Sequence, residues 1–308
     1  MTPARRSDTI VIQTFRNHTI PAWIQRCLDS VQKWAGLHGH DYSLAGDEFY
    51  DLCGPEYLKR GSKNPQSITN LARLVATRQR LDAGYRRVIW MDADVFVFDS
   101  KNLVFDFPAA FLTTGYAFGR EVWIDHDSAG VICATPPRPH NAATYFTKGA
   151  VDLDMLIELI RHIDAKRQIV SNFQVGVGLL RGLQYSLMFP TFSHVGVFSP
   201  ILLRALAKRD EKVLRFCSEA SRYKTCAGNL GLSLEVNEDL LWQAMDHLEA
   251  GAGDVINKYA TEMSVHLVPY DSERSIGDQS ATFTRWRYWF TMWRYRLKTA
   301  LRALMGRS

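Results

Sequence analysis

The chain has 308 residues, 46% of them hydrophobic and 22% charged, an ordinary globular balance with enough length for one large α/β domain with appendages or two small domains, and no need of disulfide staples. Its formal charge of +5 is uneven. Seven basic residues and no acidic one lie between Phe283 and Ser308, which leaves −2 for residues 1–282 and assigns any anionic partner to the tail.

Five cysteines (Cys27, Cys53, Cys133, Cys217 and Cys226) are widely spaced without a CxxC pair, so neither a zinc site nor a disulfide framework is expected. They read as free, buried thiols of a reducing compartment. The N-terminal MTPARRSDTIVIQTF carries no apolar run of signal-peptide length. No stretch reaches the roughly 20 apolar residues of a spanning helix. The expected location is the cytoplasm.

Thr9–Phe15 (TIVIQTF) reads as a buried first strand. Thr19-Ile20-Pro21 marks a helix start, Trp23, Cys27, Val31 and Trp34 form its apolar stripe, and Gly36 ends it. Tyr42–Leu44 suits a short second strand. Residues 66–83 read as a helix with Ile68, Leu71, Leu74, Val75 and Leu81 on one face, stopped by Gly84. Arg87–Met91 (RVIWM) is a buried strand with MDADVFVF at its carboxyl end. Strands and helices alternating at this spacing predict βαβ units and a largely parallel sheet. Further on, Gly176–Leu183 suits a strand or turn, Ser199–Phe216 and Glu238–Leu248 read as helices, and Met263–Val268 as a last strand.

Ligands of open α/β sheets bind beyond the carboxyl ends of strands, which is where Asp92-Ala93-Asp94 falls. Carboxylates at i and i+2 converge on a hard cation when the chain turns there, and oxygen ligands suit Mn²⁺ or Mg²⁺. A diphosphate would complete the coordination. The plain alternative is a turn capped by two aspartates. Arg73 shares a helical face with Asn70 and Thr77, and its guanidinium suits phosphate or sugar oxygens; otherwise it is a solvated surface arginine.

The run Asn70-Leu71-Ala72-Arg73, then Leu81, Gly84 and Tyr85, then VIWMDADVFVF resembles the donor-binding region of GT-A glycosyltransferases. More narrowly it is similar to the DXD-containing sugar-binding region of initiation-type α-1,6-mannosyltransferases and α-1,4-galactosyltransferases. Asn70 stands where that pattern has an acidic residue, and GYRRVIWMDAD replaces a tighter Gly-Gly-x-Tyr turn. Fainter likenesses are His140-Asn141-Ala142 with Phe146, Lys148 and Gly149, then Gly196 and Pro200, and His266 in the place of a late histidine that ligates the metal. The resemblance implies a Rossmann-like GT-A domain over residues 1–280, its mostly parallel central sheet flanked by helices. It implies hexosyl transfer from a UDP- or GDP-sugar to a glycan or glycolipid. Asp92, Asp94 and His266 would hold Mn²⁺ or Mg²⁺, and Asn70, Arg73 and Asn141 would contact the donor.

His266 in an apolar strand reads equally as a core residue, and Asn141 as a turn residue. Asn237-Glu238-Asp239 opens a helix; its plain reading is an N-cap with acidic residues in the first turn. Its functional reading makes Asp239 or Glu238 the general base. The resemblance leans to retention of configuration, whereas such a base implies inversion. Rival readings are a DxD-dependent phosphatase and a non-catalytic sugar-nucleotide-binding or membrane-associated module. Residues 281–308 predict a basic amphipathic helix with Phe283, Trp286, Phe290, Trp293, Leu297 and Leu301 on one stripe. Such a helix suits an anionic membrane surface, here the inner face of the membrane, ahead of docking on the body; nucleic acid is not the expected partner.

Overall fold

The structure is a computed structural model, which describes residues 7–16, 19–61, 65–107, 114–166, 174–231, 237–251, 253–260 and 265–266. Met1–Val268 form one compact unit; Pro269–Ser308, including the expected tail helix, lie outside the described residues.

In chain order the elements begin with β1 (Thr9–Thr14), α1 (Ala22–Leu37), β2 (Asp41–Ala45), a 3-10 helix (Asp47–Cys53), α2 (Pro55–Gly61), α3 (Pro65–Asp82), β3 (Arg87–Met91) and β4 (Val95–Val97). Next come β5 (Tyr116–Glu121), β6 (Ile124–His126), β7 (Ile132–Ala134), β8 (Arg138–Thr147), α4 (Leu153–Lys166), α5 (Val177–Leu187), β9 (Thr191–Phe192) and β10 (Val195–Val197). The last are α6 (Pro200–Lys208), α7 (Glu211–Ser221), β11 (Ala227–Asn229), α8 (Glu238–Ala250), α9 (Asp254–Asn257) and β12 (Val265–His266).

The central sheet has seven strands in the order β12-β9-β5-β8-β3-β1-β2. β2, β1, β3, β5 and β9 run one way, and only β8 and β12 oppose them among the described strands. This is the α/β architecture with a mostly parallel sheet that the sequence predicts. The period-2 pattern of each strand assigns its side chains to two cores. Ile10, Ile12, Val88, Trp90, Tyr116, Phe118 and Phe146 face the layer of α3, α4 and α5. Val11, Ile89, Met91, Ala143 and Tyr145 face α1 through Val31, Trp34 and Ala35. The other side of α1 meets α6, α7 and α8 in a third apolar cluster. A smaller sheet, β10-β11-β4, continues from the turn after β3.

Two expectations need correction, and a third falls mostly outside the described residues. Ser199–Phe216 is two helices, because Arg209 adopts a left-handed backbone (φ 55°) and Asp210 starts a new helix by accepting the Lys212 and Val213 amides. Of Gly176–Leu183, Gly176 is the N-cap and the rest belongs to α5: Val177, Leu180 and Gln184 recur at helical spacing, which Gly178 and Gly182 obscure in the sequence. Of Met263–Val268, only Val265–His266 is described, as an antiparallel partner of β9. The cysteines are free thiols as expected, all buried but Cys133. Burial pushes the Cys53, Cys217 and Cys226 thiols up to about 12.

Candidate active site at the carboxyl edge of the sheet

β8 runs antiparallel to β3 and β5, so its first residues lie at the carboxyl edge of both. The end of β3 is fixed to it there: the Asp92 amide donates to Ala142 O at 2.7 Å. Gln13, fully buried in β1, donates through Nε2 to Asp92 O at 3.0 Å and accepts from the Tyr42 hydroxyl. The backbone of the turn is therefore tied to strands on either side.

The Asp92 carboxylate is held by one oxygen. Trp90 Nε1 donates to Oδ1 at 2.7 Å, and Arg73 Nη1 approaches the same oxygen at 3.1 Å. No described residue donates to Oδ2, and the side chain is 25% exposed. Burial raises the Asp92 pKa, while the Arg73 guanidinium and the Trp90 N–H oppose that rise. Asp94 is fixed from the small sheet: Asn229 Nδ2 donates to its Oδ1 at 2.6 Å, and the Leu230 amide donates to its backbone oxygen. Asn229 is aligned in turn by accepting the Gly231 amide at 3.1 Å.

Arg73 is a buried residue, not a solvated one. Its guanidinium lies 5.2 Å over the Trp90 ring, donates to Asn141 O and pairs with Asp92. Asn70 Oδ1 accepts from Asn141 Nδ2 at 2.9 Å. Thus Asn70, Arg73, Asp92 and Asn141 form one connected group, with Asp94 two residues along the turn. Glu238 and Asp239 are exposed at the start of α8, where Asn237 Oδ1 accepts the Asp239 amide at 2.8 Å, the expected N-cap. Among the described residues, no side chain links those two carboxylates to the Asp92–Asp94 pair. For His266 only the strand backbone is described.

His140 adjoins the group. The Ala142 amide donates to Nδ1 at 3.1 Å, so the proton sits on Nε2, which donates to Val195 O at 3.2 Å. Burial lowers its pKa to about 4, leaving a neutral imidazole at ordinary pH. Beyond it, the buried Glu121 at the end of β5 accepts from Arg138 and from Arg181.

No protein-family model matches the chain, and no curated protein matches it. Among solved structures, the chain is similar to a glycosyltransferase involved in the glycosylation of the major capsid of PBCV-1. The identity is 10% and the TM-score 0.40, over 79% of this chain and 98% of that one. It is also similar to A197 from STIV, at 10% identity and a TM-score of 0.25, over 50% of this chain and 68% of that one. Scores this low carry no argument, and the chemistry of the site stands on its residues.

Sequence reasoning missed Gln13, Trp90, Asn229, Glu121, Arg138 and Arg181. Two of them leave a signal in the sequence: a lone amide inside the apolar TIVIQTF, and a buried asparagine inside CAGNLG. Trp90 lies two residues from the Asp92 carboxylate it donates to, and Glu121, Arg138 and Arg181 depend on partners far apart in the chain.

Proposed function

We propose that the protein is a glycosyltransferase of the GT-A kind, moving a hexosyl group from a UDP- or GDP-sugar to a glycan or glycolipid. The observation that carries this reading is the aspartate pair at the end of β3. Asp92 is anchored through Oδ1 and keeps Oδ2 without a described donor, and Asp94 accepts from Asn229 through Oδ1. Pinned carboxylates with an available oxygen fit a hard divalent cation, Mn²⁺ or Mg²⁺. Among the described residues no group of three or more His, Cys, Asp or Glu side chains gathers. In this reading Asp92 and Asp94 would be two of the ligands, with His266 the candidate third. When bound, such a cation offsets the charge on a departing diphosphate.

The remaining roles fall to the chain itself. Arg73 and Trp90 oppose the upward pull of burial on the Asp92 carboxyl and orient it through Oδ1. The Asn70–Asn141 pair offers amide groups to sugar hydroxyls at the same edge. Asp239, exposed at the first turn of α8, is assigned as the base that takes the proton of the acceptor hydroxyl.

The test is nucleoside-diphosphate binding with and without Mn²⁺. Asp94→Asn is expected to abolish the Mn²⁺-dependent gain in affinity while melting like the parent; an unchanged gain sinks the assignment. In a transfer assay, Asp239→Asn should lower turnover at saturating Mn²⁺, and His266→Ala should raise the Mn²⁺ concentration required. Effects on melting temperature alone would remove both residues from the site.

A further inference from the structure

We infer that Asn229 is the positioning residue of Asp94: it sets where the second carboxylate of the pair stands, and with it the affinity of the site for a divalent cation, without being a ligand itself. The inference deepens the proposed function and rests on reading Asp94 as a metal ligand.

The two aspartates are held from different parts of the fold. Asp92 is held from the central sheet and its helix layer, by Trp90 of β3 and Arg73 of α3. Asp94 lies across the turn, which the Val95 amide closes on Asp92 O at 3.1 Å, and is held from the small sheet. The register of that sheet explains the contact. β11 runs antiparallel to β4 with Asn229 opposite Val95, so Leu230, the next residue, meets Asp94, and its amide donates to Asp94 O at 2.9 Å. The Asn229 side chain leaves β11 beside the Asp94 carboxylate and donates through Nδ2 to Oδ1 at 2.6 Å.

Asn229 is well placed to act as a mount. Its Oδ1 accepts the Gly231 amide at 3.1 Å. A backbone N–H only donates, so the side-chain oxygen faces Gly231 and the NH2 group faces the carboxylate. Its backbone oxygen accepts the Phe198 amide at 2.9 Å, and β11 is paired on both sides, with β10 and β4. One residue earlier, a Cβ on Gly228 would stand 2.4 Å from the Phe198 ring, so the strand and that ring are in direct contact. Asp94 and Asn229 are each 7% exposed. A carboxylate removed from water takes its orientation from the donors around it. Asn229 supplies one such donor and brings no charge of its own, whereas Arg73 brings both to Asp92. Partners that hold metal ligands in this way change metal affinity by roughly 10- to 100-fold.

Thermal melts of the whole chain in chelator-treated buffer and across a Mn²⁺ titration test the assignment, with bound Mn²⁺ read from the loss of the free ion's electron paramagnetic resonance signal. Asn229→Ala removes the donor. It should bind Mn²⁺ roughly 10- to 100-fold more weakly than wild type, and Mn²⁺ should raise its melting temperature less. Asn229→Asp keeps the shape and the acceptor for the Gly231 amide, but sets a second carboxylate oxygen at hydrogen-bond distance from Asp94 Oδ1. A cation relieves like charges at that distance, so this variant should melt below wild type without metal and gain more than wild type from Mn²⁺. The two variants should thus depart from wild type in opposite directions. An amide that only satisfies the fold instead gives the same loss of melting temperature with and without Mn²⁺ in both, and that result overturns the assignment. If Asn229→Ala does not fold, the melts of Asn229→Asp decide alone. Asp94→Asn tells the two failures apart. Mn²⁺ binding that Asp94→Asn abolishes and Asn229→Ala leaves unchanged ends the positioning role and keeps the metal reading. Mn²⁺ binding that survives Asp94→Asn ends the metal reading, and the role of Asn229 with it.

Discussion

Arg73 serves as a ligand of the protein itself before it serves any substrate. Its guanidinium is enclosed by the Trp90 ring, Asn141 O and Asp92 Oδ1, and burial alone lowers its pKa against the pull of the two aspartates. A buried ion pair of this kind adds little net stability, but removing one partner strands the other at about 3–5 kcal/mol. Its value lies in orientation: it opposes the effect of burial on Asp92 and holds Oδ1, leaving Oδ2 without a described donor. Arg73→Lys retains the charge and loses the planar fork, so at least one of these contacts must go. The expected result is a transfer rate lower by roughly tenfold or more with a modest fall in melting temperature. Wild-type turnover in Arg73→Lys would show that the orientation of Asp92 does not limit the reaction.

At the level of elements, the irregularity between β5 and β8 sets the edge. The pairing register shifts between Phe118 and Gly119, and His140 fills the space where a side chain of residue 119 would stand. A Cβ built on Gly119 lies 2.3 Å from His140 Nε2, and the imidazole is held by Val195 O and the Ala142 amide, so it has nowhere to move. Gly119→Ala should therefore cost about 1–3 kcal/mol, the usual range for overpacking a core, and reduce activity through Asn141, the residue after His140. Unfolding midpoints in urea measure the first effect; an unchanged midpoint removes His140 from the structural role. The same region shows what sequence reasoning reaches. β1, α1, α3, β3 and the aspartate turn follow from hydrophobic period and from residues adjacent in the chain, and all were legible. The Glu121–Arg138–Arg181 network and the Asn229–Asp94 bond join residues 17 to 135 positions apart, for which no local pattern exists. Likewise, the break between α6 and α7 turned on a single left-handed arginine in a run that otherwise fits a continuous helix.

For the whole molecule, the buried His140 and His194, with the half-buried His40, shape the response to acid. Burial lowers His140 and His194 to about 4, against 6.5 for an unperturbed imidazole. Between those values the unfolded chain binds more protons than the folded one, so stability is complete above about pH 6.5 and falls as pH drops toward 4. Each costs the folded state on the order of 3 kcal/mol by the acid end of that window. His194→Phe should flatten the decline, because His194 lies among Phe105, Phe107 and Phe192 and its Nδ1 has no hydrogen-bond partner among the described residues. Equal acid sensitivity of the variant would place the titration elsewhere. The charge distribution acts on the same scale. Residues 1–282 carry −2 and the last 26 carry seven positive charges interleaved with aromatics, so the chain is electrostatically polarised along its sequence. Among the described residues no helix is long and apolar enough to cross a membrane. Attraction of a basic segment to anionic lipid adds about 1 kcal/mol per Lys or Arg near the surface, and the Phe283–Leu301 stripe adds apolar insertion. The intact protein should therefore sediment with vesicles containing phosphatidylserine, and raising the salt should release it, because screening shortens the reach of these charges. Removing residues 281–308 should abolish sedimentation while leaving the melting temperature and transfer to a soluble acceptor unchanged. A truncated protein that melts early, from a parent that never bound vesicles, would instead make the stripe part of the folded body and end the membrane reading.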